Sequence, residues 1–126
     1  MLADSVSPSR RLVLIVDDEP LVRKSAAMMV DEAGYESLQA GSADEAIDLL
    51  AARDDIFVVF TDVEMPGRFD GSKLAAYAAG LWPPVHVVIT SGRVAAEAVP
   101  MANKVSFLSK PYRVEDLAER FGALAI

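Results

Sequence analysis

The 126-residue sequence contains no cysteine and only one histidine, His86. The lack of cysteine excludes disulfide frameworks, cysteine-ligated zinc and thiol nucleophiles, and a single histidine excludes a multi-histidine metal site. Basic residues are also scarce, with 12 lysines and arginines against 19 acids and a net charge of -7. Because a duplex-binding domain normally presents a basic face, direct binding to nucleic acid or to an anionic membrane is disfavoured.

The chain also lacks a long apolar run. Its longest uncharged apolar stretches, such as residues 74–82, fall far short of the roughly 20 residues of a membrane-spanning helix. Residues 1–11 contain no apolar segment of signal-peptide length. Hydrophobic residues nevertheless make up 52% of the sequence, which is enough to build a core. We expect one cytoplasmic domain over residues 11–126, preceded by a flexible polar tail over residues 1–10.

Short β-branched runs alternate with amphipathic segments from Leu12 onwards. Strands are predicted at residues 12–16, 36–40, 56–60, 85–89 and 105–108. Helices are predicted at residues 21–33, 72–79 and 114–124. A further helix is predicted to begin at a capping box at residues 42–45, and residues 93–99 form at most a short helix. The continuous apolar texture of the strands is typical of strands that are buried on both faces. The alternation therefore predicts a doubly wound parallel sheet with helices on both faces.

The first predicted helix has apolar and small residues at helical spacing. They are Leu21, Ser25, Met28, Met29 and Ala33. This spacing predicts a buried face, and we expect both methionines to fill space in the core.

Polar and charged side chains follow four of the predicted strands. They are Asp17 and Asp18, Asp62, Thr90 and Ser91, and Lys110. Because ligands of open α/β sheets bind beyond the carboxyl ends of the strands, we expect one shared site. Neighbouring carboxylates repel by about 4 kcal/mol at roughly 4 Å, and a hard cation such as Mg²⁺ removes that conflict. Metal, lysine and hydroxyl together form a clamp suited to phosphoryl transfer, with one carboxylate as the nucleophile.

In this order and at these strand ends, the motifs strongly resemble the receiver domain of bacterial two-component response regulators. The matching stretches are Val16-Asp17-Asp18-Glu19-Pro20, Asp62-Val63-Glu64-Met65-Pro66 leading to Asp70-Gly71, Thr90-Ser91 and Lys110-Pro111. The resemblance runs from about residue 11 to the end. It implies a five-stranded sheet in the flavodoxin-like order 2-1-3-4-5. It also implies phosphoryl transfer from a phosphohistidine of a sensor histidine kinase or histidine phosphotransfer protein.

The resemblance also assigns a role to each site residue. Asp62 would accept the phosphoryl group and help to bind Mg²⁺. Asp18 would bind the metal directly, Asp17 largely through water, and Glu64 through its backbone carbonyl. Lys110 would pair with the phosphoryl group, and the Lys110–Pro111 bond would be cis. Such a domain is not an enzyme acting on other molecules. It catalyses only its own phosphorylation and dephosphorylation and switches a surface for a downstream protein target, and it is compatible with a homodimer.

Two residues, Thr90 and Ser91, compete for the role of the switch hydroxyl. Alternate strand residues face opposite sides, so only one of them can point at the phosphoryl group. We prefer Ser91, since the small Gly92 after it leaves space for phosphate. Phe107 occupies the aromatic switch position of the family and, having no hydroxyl, can act only through packing.

The sequence departs from the family pattern in two places. One extra residue lengthens the loop at residues 66–70, and the segment from Ser91 to Lys110 is compressed, which predicts a short or irregular fourth helix. Two other functions stay open. Asp62-Val63-Glu64 has the acid spacing of Mg²⁺-dependent aspartyl-phosphate phosphohydrolases, although it lies in mid-chain, and a receiver-like module can also act without phosphorylation. On its own, the acidic run at residues 17–19 is typical of a helix N-terminus.

Overall fold

The computed structural model describes residues 11–62, 77, 85–91 and 105–124. These ranges contain five strands and three helices. In chain order they are β1 (Leu12–Val16), α1 (Pro20–Glu32), β2 (Glu36–Ala40), α2 (Ala43–Ala52), β3 (Ile56–Asp62), β4 (His86–Ser91), β5 (Val105–Ser109) and α3 (Val114–Leu124). Several predicted features lie outside the described residues. They are the tail at residues 1–10, the lengthened loop at residues 66–70, the helix at residues 72–79 apart from residue 77, and residues 92–104 of the compressed segment, with its short helix at residues 93–99.

The five strands form one parallel sheet in the order β2-β1-β3-β4-β5. The predicted order is therefore confirmed. Strand β3 continues to Asp62 and β4 to Ser91, so both strands extend two residues beyond their predicted ends. Because all strands run in the same direction, the ends of β1, β3, β4 and β5 lie along one edge of the sheet.

Each face of the sheet carries its own apolar cluster. One cluster joins the sheet to α2, and Tyr77, which is helical, packs against it. The other joins the sheet to α1 and α3. Phe121 of α3 is fully buried there, and its ring makes edge contacts with Phe60 of β3 and with Tyr35. Helices thus cover both faces of the sheet, as the sequence predicts.

The buried face of α1 differs from the predicted one. Ala26, Ala27 and Val30 are buried, whereas Leu21 is 77% exposed and Met28 is 65% exposed. The prediction that Met28 packs in the core is wrong, while Met29 does pack against the core and is partly buried. The two alanines carry little side chain, so the helix can approach the sheet closely along their side. The longer side chains of Leu21 and Met28 are then left on the outer side.

The ends of two helices are fixed by local hydrogen bonds. After α1, the N–H of Gly34 donates to the carbonyl of Asp31 and that of Tyr35 to the carbonyl of Val30. This is a Schellman motif, and it requires the positive φ of 101° that Gly34 adopts. Ser42 caps α2 as predicted, since its Oγ accepts a hydrogen bond from the Glu45 N–H at 3.0 Å.

No helix in the described part of the chain is long and apolar enough to cross a membrane.

Candidate functional site

Asp17 and Asp18 lie in the turn between β1 and α1 and have different environments. Asp17 is only 7% exposed. Its N–H donates to the carbonyl of Ala40 at 3.2 Å, and its Oδ1 accepts a hydrogen bond from the Glu19 N–H at 2.9 Å. Asp18 is exposed. The first acid is therefore held inside the turn, and the second is open to solvent.

The acidic run lies directly before α1 and at its N-cap. Glu19 is the N-cap residue of α1, but its side chain makes no capping hydrogen bond. Asp17 instead uses its carboxylate within its own turn, two residues along the chain. The Asp17 carboxylate therefore accepts the N–H of the N-cap residue itself, at the end of the helix where carboxylates are favoured.

A small cavity of about 10 Å³ lies where the strand ends meet. Its polar lining comes from four strands or their ends. These residues are Asp17 after β1, Thr61 in β3, Thr90 in β4 and Lys110 after β5. The structure therefore brings three of the residues predicted for the site, Asp17, Thr90 and Lys110, to one place. A carboxylate, an ammonium and two hydroxyls offer partners for both a cation and an anion.

For the other predicted site residues within the described ranges, only the position of the backbone is described. Asp62 ends β3 and is the register partner of Thr90. Ser91 lies one residue further along β4 and pairs with Ser109, and Phe107 pairs with Ile89. The side chains of Asp62, Ser91 and Phe107 lie outside the described structure, as does the whole of Glu64. Their assigned roles therefore stay predictions.

The expected metal ligands are only partly within the described structure. Among the side chains that it describes, no three of the histidine, aspartate and glutamate residues form a group that could hold a metal ion. Asp17 and Asp18 are the two expected ligands that it includes. The full expected set adds the Asp62 carboxylate and the Glu64 carbonyl. These donors are all oxygens, which is the ligand chemistry that suits Mg²⁺.

Lys110 follows β5 directly and is half-buried. The Lys110–Pro111 peptide bond is cis, so this prediction is confirmed. Tyr112 comes next, and its ring meets that of Phe60 edge-on, with 5.4 Å between the ring centroids. Both Lys110 and Tyr112 line the cavity, so the segment after β5 closes this side of the site.

Sequence reasoning missed three residues at this site. Thr61 is 1% exposed and Tyr112 is half-buried, and both line the cavity. Thr61 carries a usable signal, since it is a hydroxyl at the end of an otherwise apolar strand. The third is Arg23 of α1, whose Nη1 donates to the carbonyl oxygen of Asp17 at 2.9 Å. The Nε of Arg23 donates to Oε1 of Gln39 at 3.2 Å, and no sequence spacing predicts this pair.

Residues 13–121 match the family model of the response regulator receiver domain. The chain is 36% identical over 118 residues to the transcriptional regulatory protein PdtaR of Mycobacterium tuberculosis, covering 91% of this chain and 56% of that protein. It is 40% identical over 113 residues to the positive alginate biosynthesis regulatory protein of Pseudomonas aeruginosa, covering 85% of this chain and 44% of that protein. The chain thus spans about half the length of these curated relatives.

Solved structures give the same result. The receiver domain of the hybrid histidine kinase CckA is 33% identical with a TM-score of 0.74, covering 91% of this chain and 99% of that one. A response regulator receiver protein from Sinorhizobium medicae is 26% identical with a TM-score of 0.82, covering 94% and 96% of the two chains. With the family model matching most of the sequence, the chain belongs to the response regulator receiver domain family.

Proposed function

We propose that the chain accepts a phosphoryl group on Asp62 from a phosphohistidine of a sensor histidine kinase or a histidine phosphotransfer protein. The observation that carries the proposal is the meeting of Asp17, Thr90 and Lys110 at one edge of the sheet. Asp62 ends the strand between them, in register with Thr90. Membership of the receiver family supports the type of reaction.

The transfer exchanges one phosphorus bond for another. A carboxylate oxygen of Asp62 forms a bond to phosphorus, and the bond between phosphorus and the donor imidazole nitrogen breaks. That nitrogen keeps the electron pair and takes up a proton. Lys110 would then pair with the phosphoryl oxygens, because a charge-assisted hydrogen bond is about twice as strong as a neutral one.

The residues of this edge suit a magnesium ion. Asp18 and Asp62 would hold it through their carboxylates and Asp17 largely through water, together with the backbone carbonyl of Glu64. When bound, the ion supplies positive charge that stabilises the transferring phosphoryl group. The support within the described structure is a buried carboxylate beside an exposed one in the turn after β1.

The output of the reaction would be a changed protein surface. A phosphoryl group adds about -1.5 to -2 charges and three strong acceptors. Lys110 would bind one oxygen, and the hydroxyl of Ser91 would donate to another. Phe107 would then move into the space that Ser91 leaves, and the surface over residues 93–113 would change for a downstream protein or a second copy of the chain. Such a change is a population shift, so the unphosphorylated protein would already visit the active form.

The proposal includes a cytoplasmic location. It rests on the likeness to PdtaR, which is named as a transcriptional regulatory protein. The absence of cysteine from the sequence is compatible with that compartment.

Intact-mass spectrometry after incubation with phosphoramidate and Mg²⁺ tests the function. We expect one added phosphoryl group on the parent protein and none on Asp62→Asn. Sustained release of phosphate from a small phosphoester, with no stable adduct, would instead indicate a phosphohydrolase. A chain that takes up no phosphoryl group from phosphoramidate or from a kinase would indicate an interaction module that works without phosphorylation.

A further inference from the structure

Arg23 links the turn that carries the acidic pair to the neighbouring edge strand. Its Nη1 donates to the carbonyl oxygen of Asp17 at 2.9 Å, and its Nε donates to Oε1 of Gln39 in β2 at 3.2 Å. One guanidinium therefore joins three segments, namely the start of α1, the turn after β1 and the end of β2. Arg23 itself is half-buried.

Gly41, which follows β2, leaves room for this guanidinium. A Cβ atom built on Gly41 would lie 3.1 Å from Nη1 of Arg23, closer than side chains normally pack. The backbone of Gly41 is not in the left-handed region that favours glycine. Its lack of a side chain therefore provides space for Arg23 and is not needed for a special turn.

The hydrogen bond from Arg23 acts on the peptide unit that connects the two acids. A peptide unit is planar, so the carbonyl oxygen of Asp17 fixes the plane that also contains the N–H and Cα of Asp18. The N–H and Oδ1 of Asp17 are already bonded, to Ala40 and Glu19. Arg23 adds a further hydrogen bond and so helps to hold the peptide plane from which the Asp18 side chain leaves the backbone.

We propose that Arg23 is a positioning residue for the acidic pair, which it orients for a divalent cation before that cation arrives. The cation-binding part of this proposal rests on the proposed function. The orientation of the Asp18 peptide does not, because it can be measured without metal.

Two variants disturb the contact in different ways. Arg23→Gln removes the charge and shortens the side chain, whereas Gly41→Ala keeps the arginine and displaces its guanidinium by a few tenths of an ångström. Arg23→Lys keeps the charge, but an ammonium cannot reproduce the two-sided fork of a guanidinium. Arg53→Gln is the matched control, because Arg53 also pairs through two nitrogens, with Asp55 at 2.9 and 2.8 Å, beyond the end of α2.

The first measurement is amide hydrogen exchange of Asp17 and Glu19 in the metal-free protein, because the N–H groups of both are hydrogen-bonded in this turn. We expect faster exchange at these two amides in Arg23→Gln and Gly41→Ala and an unchanged rate in Arg53→Gln. The second is the Mg²⁺ dissociation constant from NMR titration. We expect a rise of about tenfold in Arg23→Gln, as for other residues that orient metal ligands. Gly41→Ala and Arg23→Lys should show smaller rises, and saturating Mg²⁺ should restore the phosphorylation rate of all three.

Unchanged exchange at Asp17 and Glu19 in both Arg23→Gln and Gly41→Ala would overturn the proposal. A second result would also overturn it, namely a parent-like Mg²⁺ dissociation constant in these variants together with a lower free energy of unfolding. Arg23 would then be a structural link alone. Absence of Mg²⁺ binding by the parent would contradict the proposed function. In that case the exchange rates still decide whether Arg23 holds the turn that carries the two acids.

Discussion

Asp62 and Thr90 are register partners on the adjacent parallel strands β3 and β4. Thr90 is 3% exposed and lines the cavity together with Asp17 and Lys110. Ser91 lies one residue further towards the carboxyl edge, at the end of β4. The two hydroxyl residues therefore differ in position, since Thr90 lies level with Asp62 and Ser91 lies beyond it.

This difference predicts separate effects for the two hydroxyls. Ser91→Ala should keep phosphorylation but lose most of the response over residues 93–113, because a group bound to Asp62 would extend beyond the strand end, where Ser91 lies. Thr90→Val keeps the shape of the buried side chain and should lose less of that response. NMR chemical shifts with and without beryllofluoride, a mimic of the phosphoryl group, measure both variants.

The reverse pattern would show that the hydroxyl assignment is wrong by one residue. If neither variant changes the response, the switch that the family uses does not operate in this chain. The compressed segment between Ser91 and Lys110 would then be the first place to look for a different output.

A second prediction concerns the exposed acid of the turn after β1. Asp18→Asn should weaken Mg²⁺ binding by about tenfold or more, since changes even to residues behind a metal ligand have effects of that size. Asp48→Asn is the control, because Asp48 is an equally charged and exposed residue on α2. NMR titration with Mg²⁺ gives the dissociation constants. Equal constants for the parent and Asp18→Asn would exclude Asp18 as a ligand.

A third prediction concerns the core that supports the site. Phe121 is fully buried and contacts the ring of Phe60, the residue of β3 two positions before Asp62. Phe121→Ala should lower the free energy of unfolding by about 3–5 kcal/mol. Leu21→Ala removes a side chain that is 77% exposed and should change it by no more than about 0.5 kcal/mol. Urea denaturation followed by circular dichroism measures both, and equal losses would contradict the described packing of α1 and α3.

Much of the fold could be predicted from the sequence because the strands are continuous apolar runs. Such runs identify β1, β3 and β4 by themselves, and the polar residues after them indicate which edge of the sheet binds ligands. The strand order was predicted from the resemblance to receiver domains, since a run of apolar residues does not indicate which strands are neighbours.

The errors in the sequence prediction arise where tertiary packing, and not the spacing of residues along the chain, determines which side chains are buried or in contact. Leu21 and Met28 share helical spacing with buried residues, but the small Ala26 and Ala27 let α1 approach the sheet on their own side. The Glu45 side chain of the predicted capping box reaches back to the N–H of Gly41, at 2.8 Å, and not to that of Ser42. The contact of Arg23 with Gln39 joins residues 16 positions apart, and only the pairing of β1 with β2 brings them together.

Chemical mapping of the phosphorylated residue tests the central claim most directly. Borohydride reduces an aspartyl phosphate to homoserine, and trypsin releases residues 54–68, which contain Asp54, Asp55, Asp62 and Glu64. After treatment with phosphoramidate and Mg²⁺, tandem mass spectrometry should find homoserine at position 62 alone, and none when Mg²⁺ is replaced by a chelator. Reduction at another acid, or an equal yield without the metal, would contradict metal-dependent phosphorylation of Asp62.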